Sequence, residues 1–161
     1  MNYEEAVAYI EETPKFTTKN KMEHTKECLK RLGDPQDKFR VIHVAGTNGK
    51  GSTCAFLTSV LREAGYSCGL FTSPHLVVIN ERFQINEKNI DDETFLRAFC
   101  KVKALADELV EEGNYHPTYF EFLFLMGMVI FADAGVDYVV LETGLGGRLD
   151  ATTAVENPVA V

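Results

Sequence analysis

The 161-residue sequence shows no C-x-x-C pair, no signal-peptide pattern in its first residues, no excess of positive charge and no apolar run long enough to cross a bilayer. Each absence removes a class of protein. Cys28, Cys54, Cys68 and Cys100 are far apart with no C-x-x-C spacing, so neither a zinc site nor a disulfide framework is indicated. They are expected to be small, buried apolar residues in a reducing cytosol. A formal net charge of -8 excludes a nucleic-acid or anionic-membrane surface, which needs clustered Lys and Arg. Met1-Asn2-Tyr3-Glu4-Glu5 lacks the basic-then-apolar order of a signal peptide. The longest apolar run, Phe122 to Ala132, lies between Glu121 and Asp133 and is too short to span a membrane, so a buried helix is expected. There are no repeats and no low-complexity segments. The remaining class is a cytoplasmic α/β domain with one core, 45% of its residues being hydrophobic.

The periodicity predicts helices over Tyr3 to Glu12 and Lys21 to Leu32, punctuated by Pro14 and Gly33-Asp34-Pro35, as a helical cap over residues 1–38. A core over 39–161 follows. Arg40 to Ala45 reads as a strand, Thr53 to Ala64 as an amphipathic helix and Ser67 to Thr72 as a second strand, closing a βαβ unit. Ser73 to Asp92 is a long polar connection of the kind that carries function, with a short alternating segment at Arg82 to Asn86. Asp91 to Glu112 reads as a helix with Asp91 as N-cap and Phe95, Phe99, Val102 and Leu109 inward. Thr118 to Ala134 is the apolar helix, and Asp137 to Leu141 is a strand apolar enough to be covered on both faces. Pro158 to Val161 starts a further apolar strand and stops, from which a fragment of a longer protein is expected. The fold class is therefore a P-loop-type, mainly parallel sheet with flanking helices, truncated.

Gly46-Thr47-Asn48-Gly49-Lys50-Gly51-Ser52 stands between the first strand and its helix. Glycines there let backbone N–H groups converge on an anion, the helix N-terminus adds partial positive charge, and Lys50 reaches phosphate oxygens. The spacing departs from G-x-x-x-x-G-K-[ST], because residue 44 is Val and Gly51 separates Lys50 from the Ser52 hydroxyl. ATP or a similar nucleotide is the expected ligand. Glu142 directly follows a buried strand, at the sheet edge where the phosphate loop opens, and is placed to hold Mg2+ directly or through water; glycines follow it. Ser73, at the end of the second strand, offers a hydroxyl to a metal or simply ends the strand. His75 has no spacing that fixes a partner, and His24, His43 and His116 have no better claim.

Taken in order, Gly-Thr-Asn-Gly-Lys-Gly-Ser, Thr72-Ser73-Pro74-His75-Leu76, Asn80-Glu81-Arg82, Thr118-Tyr119-Phe120-Glu121 and Glu142 through Asp150-Ala-Thr resemble folylpolyglutamate synthase, including its bifunctional dihydrofolate synthase members, within the Mur ligase superfamily. The resemblance spans nearly the whole chain but less than half of a full-length member. It implies a Mur ligase ATPase domain and an ATP-dependent amide ligase that phosphorylates a folate carboxylate and joins it to L-glutamate. By motif it implies that Thr47 to Ser52 hold the triphosphate, that Lys50 stabilises the transferring phosphoryl group, and that Ser52, Ser73 and Glu142 hold Mg2+. Pro74, His75, Arg82, Phe120 and Glu121 are implied to border the folate. Thr153 stands where the family pattern has Asn. Further metal ligands and the glutamate site are implied beyond Val161, the full-length enzyme is implied to be a monomer, and this chain alone is expected to be inactive. Two other readings remain at this stage: another P-loop NTPase or phosphotransferase, and a non-catalytic nucleotide-binding module.

Overall fold

The computed structural model describes residues 1–14, 20–144 and 150–161. Asn2 opens helix α1 (Tyr3–Glu12) by accepting from the Glu5 N–H, while the Glu5 carboxylate accepts from the Asn2 N–H, a reciprocal capping box. Helix α2 (Met22–Arg31) follows, then strand β1 (Arg40–Val44), helix α3 (Lys50–Glu63) and strand β2 (Cys68–Phe71). Two short antiparallel strands, β3 (Phe83–Ile85) and β4 (Lys88–Asn89), precede helix α4 (Asp92–Glu111). Helix α5 (Tyr119–Ala134) and strand β5 (Tyr138–Glu142) follow.

The sheet order is β1-β5-β2-β3-β4, with β1, β5 and β2 parallel and β3 and β4 antiparallel at one edge. The mainly parallel expectation holds for the two pairings that join β1, β5 and β2. Within the described residues it is corrected at the edge, where the connection after Ser73 is partly a hairpin. Phe83 is fully buried against Phe71, their ring centroids 5.7 Å apart, and the turn is made by Asn86 and Glu87, both with positive φ. No glycine marks that turn, which is why the sequence hides it. β5 also lies between β1 and β2, so the first βαβ crossover skips one strand position.

Alternation along the strands assigns the two faces. Val41, Phe71, Val139 and Leu141 join the larger core with α1, α2, α4 and α5. Ile42, Leu70 and Val140 face α3 in a smaller cluster with Cys54 and Leu57. The residues of the proposed cap therefore share the larger core: Ala6, Ile10, Cys28 and Leu29 are buried in it. Phe95, Phe99, Val102 and Leu109 of α4 point inward as expected, and Asp91 caps that helix through the Thr94 N–H at 2.7 Å. The run from Phe122 to Phe131 is buried all round in α5. Cys28, Cys54 and Cys68 are buried, and burial pushes their thiols up to about 12, 12 and 11. Cys100 corrects the expectation, being exposed on the outer face of α4. The Pro158 to Val161 segment lies beside β1, with Val159 N–H donating to the Val41 carbonyl at 2.8 Å and His43 N–H to the Ala160 carbonyl at 3.0 Å.

Candidate functional site

Three parallel strands deliver their following residues to one edge. The register pairs Val44 with Glu142 and Phe71 with Leu141, so Ala45 comes level with Thr143, and Thr72 with Glu142, at that edge. Helix α5 runs antiparallel to β5, which brings its first residues, Tyr119 to Glu121, to the same edge.

The glycine loop turns directly into α3. The helix begins at Lys50 rather than Thr53, because Gly49 has a left-handed φ of 76° and its carbonyl already accepts the Thr53 N–H at 3.0 Å. A side chain at Gly49 would be strained there. No side chain caps α3 and its first turn carries no acidic residue, whereas α1, α4 and α5 begin with Glu4 and Glu5, Asp92 and Glu93, and Glu121. The positive end of α3 is thus left open to an external anion, the condition a phosphate site requires. Gly46 to Gly49 are exposed, as are Gly51 and Ser52. Lys50 donates from Nζ to the Thr143 carbonyl at 3.4 Å, across the gap between the two loops.

Glu142 is 5% exposed, and its carboxylate accepts from the Thr72 hydroxyl and from the Ser73 N–H, the latter at 3.4 Å. Ser73 and Glu142 therefore meet, as the sequence foresaw, but through the Ser73 backbone. The Thr72 hydroxyl, which sequence reasoning missed, anchors the carboxylate. Ser52 lies one residue from Gly51 in the first turn of α3 and bears an exposed hydroxyl. Among the described residues no three His, Cys, Asp or Glu side chains gather as a metal cage. One carboxylate with nearby hydroxyls is nonetheless a hard oxygen donor set of the kind Mg2+ shares with phosphates and water.

After Ser73 the chain forms a stiff knuckle. The N–H groups of Leu76, Val77 and Val78 all donate to the Glu81 carboxylate at 2.9 Å, and these bonds hold Glu81 below its ordinary value of 4.5. The clasp presents Leu76 and Val77, 91% and 84% exposed, to the outside. Pro74 is exposed beside them. Arg82 is buried; its Nε donates to His75 Nδ1 at 2.9 Å, its Nη2 donates to the Tyr119 hydroxyl at 3.3 Å, and its guanidinium lies 5.5 Å from the centre of the Tyr119 ring. His75 thus has Arg82 as its partner, and Tyr119, which the sequence places in a motif without a role of its own, joins the loop to α5.

Phe120 packs on Phe71 at 5.7 Å and closes over Gly144, where an added Cβ would stand 2.7 Å from the ring. Glu121 is 6% exposed and is occupied in place: it accepts from the Thr118 N–H at 2.9 Å and from Asn20 Nδ2 at 2.8 Å, with Thr118 completing a capping box. Of the second glycine loop, residues 145–149 lie outside the described residues.

No protein-family model matches the chain. Curated proteins do. It is 43% identical over 155 residues to the dihydrofolate synthase/folylpolyglutamate synthase of Bacillus subtilis, covering 96% of this chain and 36% of that protein. It is also 43% identical over 167 residues to a folylpolyglutamate synthase of Arabidopsis thaliana, covering 98% of this chain and 29% of the relative. Among solved structures, a folylpolyglutamate synthase complex with AMPPCP and folate superposes with a TM-score of 0.91 at 37% identity, over 99% of this chain and 39% of the other. A bifunctional folylpolyglutamate synthase/dihydrofolate synthase with Mn, AMPPNP and L-glutamate bound gives 0.86 at 35% identity, over 99% and 37%. The chain spans between 29% and 39% of the length of these proteins. With its phosphate loop and its edge carboxylate, the chain is similar over nearly all its residues to part of the folylpolyglutamate synthases.

Proposed function

We propose that this chain supplies the nucleotide- and acceptor-binding part of an ATP-dependent ligase that adds L-glutamate to a folate. The observation that carries the proposal is the convergence of Lys50 and Glu142. The phosphate-loop ammonium rests on the carbonyl of the residue that follows the edge carboxylate, beside a helix end with no acid of its own. Relatives bound to AMPPCP with folate, and to AMPPNP with Mn and L-glutamate, support this reading.

In this proposal the N–H groups of residues 47–52 hold the triphosphate, and Lys50, with one N–H kept on the Thr143 carbonyl, donates another to the γ-phosphate. A carboxylate oxygen of the folate attacks the γ-phosphorus, the bond to the bridging oxygen breaks, and ADP leaves. The glutamate amine then attacks the acyl carbon of the acyl phosphate, inorganic phosphate departs, and the nitrogen loses a proton. Lys50 stabilises negative charge on the phosphoryl oxygens, a contribution of about 10² to 10³ in rate for a single preorganised donor. Glu142, Ser73 and Ser52 would hold Mg2+, which supplies charge neutralisation at the phosphates when bound. The folate lies along the start of α5, with Pro74 and the 76–78 knuckle on one side and Phe120 on the other. His75 and Arg82 fix the loop to Tyr119, and Glu121 fixes the wall through Asn20.

The test is incorporation of labelled L-glutamate with ATP and Mg2+, run on this chain alone and on any longer product of its gene. The chain alone is expected to give no multiple turnover, since its described site holds one metal-facing carboxylate. The longer product is expected to consume ATP only when both folate and glutamate are present. ATP consumption indifferent to both would instead indicate another NTPase or phosphotransferase.

A further inference from the structure

A buried polar chain unconnected with the expected ligands runs behind the site. His43, on β1, has Nε2 2.7 Å from the Thr152 hydroxyl oxygen. That hydroxyl donates to Asp150 Oδ1 at 2.7 Å, and the Thr152 N–H donates to the same oxygen at 3.0 Å. The other carboxylate oxygen, Asp150 Oδ2, accepts the Gly144 N–H at 2.9 Å. His43, Thr152 and Asp150 are 8%, 0% and 2% exposed.

The direction of the chain is fixed by chemistry. An ionised carboxylate only accepts, so the Thr152 proton belongs to Asp150 and the free lone pair of Thr152 faces the imidazole. His43 must then donate from Nε2. Burial lowers the His43 pKa, with Asp150 opposing, and so favours the neutral ring that this single tautomer requires.

The far end of the chain meets the phosphate loop through one peptide unit. The Gly144 N–H and the Thr143 carbonyl belong to the same planar group and point to opposite sides of it. Asp150 holds the N–H side, and Lys50 donates to the carbonyl side at 3.4 Å. A peptide whose N–H is bound to a carboxylate is also a better acceptor at its oxygen.

Resting on the nucleotide-binding reading above, we propose that His43, Thr152 and Asp150 form a positioning relay that orients the Thr143–Gly144 peptide and thereby places the ammonium of Lys50 for phosphate. None of the three touches nucleotide in this account. They act through Lys50, which distinguishes positioning from general support.

The experiment uses the 161-residue chain, titrated with AMPPCP in calorimetry, as wild type, Thr152→Val, Thr152→Ser, Lys50→Met and the Thr152→Val/Lys50→Met double variant. Thr152→Val keeps the shape and removes the hydroxyl. It is expected to weaken AMPPCP binding by about threefold to tenfold, the scale of one misplaced hydrogen bond, and Thr152→Ser to restore binding. In the Lys50→Met background, Thr152→Val is expected to change nothing further. Equal losses in both backgrounds, or no loss in either, overturn the proposal. Amide exchange at Gly144 is followed on the same proteins without nucleotide. Faster exchange in Thr152→Val that returns to normal in Thr152→Ser supports the relay, and unchanged exchange overturns it. Should the wild type bind no AMPPCP, the nucleotide-binding reading fails, and Gly144 exchange alone decides whether the relay exists.

Discussion

Replacing Gly144 by Ala tests the packing that sets the site against its wall. The new Cβ would stand 2.7 and 2.8 Å from Cε2 and Cζ of Phe120 and 3.2 Å from Asp150 Oδ2. Ordinary carbon contacts begin near 3.5 Å, so the ring must retreat by roughly 0.7 Å or the strand exit must move. The ring is not free to retreat, because Phe71 lies 5.7 Å behind it and is fully buried. Overpacking of this kind costs about 1–3 kcal/mol. For a chain of this size each kcal/mol lowers the melting temperature by about 2–4 °C, so a loss of roughly 2–12 °C is expected. The chain has no tryptophan, so far-UV circular dichroism is the suitable probe. Phe120→Leu is expected to cost stability alone yet recover part of the loss when combined with Gly144→Ala, because it vacates the space the methyl needs. A Gly144→Ala protein that melts within about 1 °C of wild type, corresponding to less than 0.5 kcal/mol, would refute the close approach.

Other elements give sharper local readouts. Thr118→Ala removes the N-cap of α5 and is expected to destabilise the fold by about 1 kcal/mol, read as a shift in urea midpoint at unchanged slope. Glu81→Gln is expected to speed amide exchange at Leu76, Val77 and Val78 selectively, since one carbonyl oxygen cannot hold three N–H groups as a carboxylate does. In wild type the same amides are expected to loosen as pH falls through the depressed Glu81 value: its clasp is fully present above 4.5 and is lost on protonation. His43 behaves likewise with a different window. Its folded pKa lies below 6.5, so its contribution is complete above 6.5 and declines as pH falls through the lowered value. Melting curves between pH 7 and pH 5 should therefore fall more steeply for wild type than for His43→Gln, and parallel curves would count against the buried neutral ring.

The parts of the fold legible in the sequence were those with local causes. Asp91 and Thr118 each stand before a periodic apolar pattern and do cap α4 and α5. Val139 to Leu141 is apolar on both faces, and β5 is the central member of the three parallel strands. That the glycine loop, Lys50 and Glu142 come to one sheet edge was legible because each ends or follows a parallel strand. Illegible features depend on distant partners. Nothing near Asn86 and Glu87 announces a hairpin, whose register comes from Phe83 meeting Phe71 and from Asn86 reaching the Cys68 N–H at 2.9 Å. Thr72, Tyr119 and Thr152 are ordinary residues whose hydroxyls acquire meaning only from Glu142, Arg82 and His43, residues 37 to 109 positions away. His43 itself had no local signal, because its partner lies in the turn after the second glycine loop. Cys100 was misjudged because its outward position on α4 is decided by the phase of one helix rather than by residue type.

The central claim is that Lys50 and Glu142 together form a nucleotide–metal site. Its most direct test is calorimetric titration of AMPPCP into the 161-residue chain with and without Mg2+, for wild type, Lys50→Met and Glu142→Gln. Wild type is expected to bind AMPPCP more tightly when Mg2+ is present. Lys50→Met is expected to lose affinity in both conditions, because it removes a charge facing phosphate. Glu142→Gln is expected to lose only the enhancement by Mg2+, because its carboxylate faces the metal while the phosphate loop is untouched. Wild-type affinity in Lys50→Met, or an undiminished Mg2+ effect in Glu142→Gln, would contradict the account.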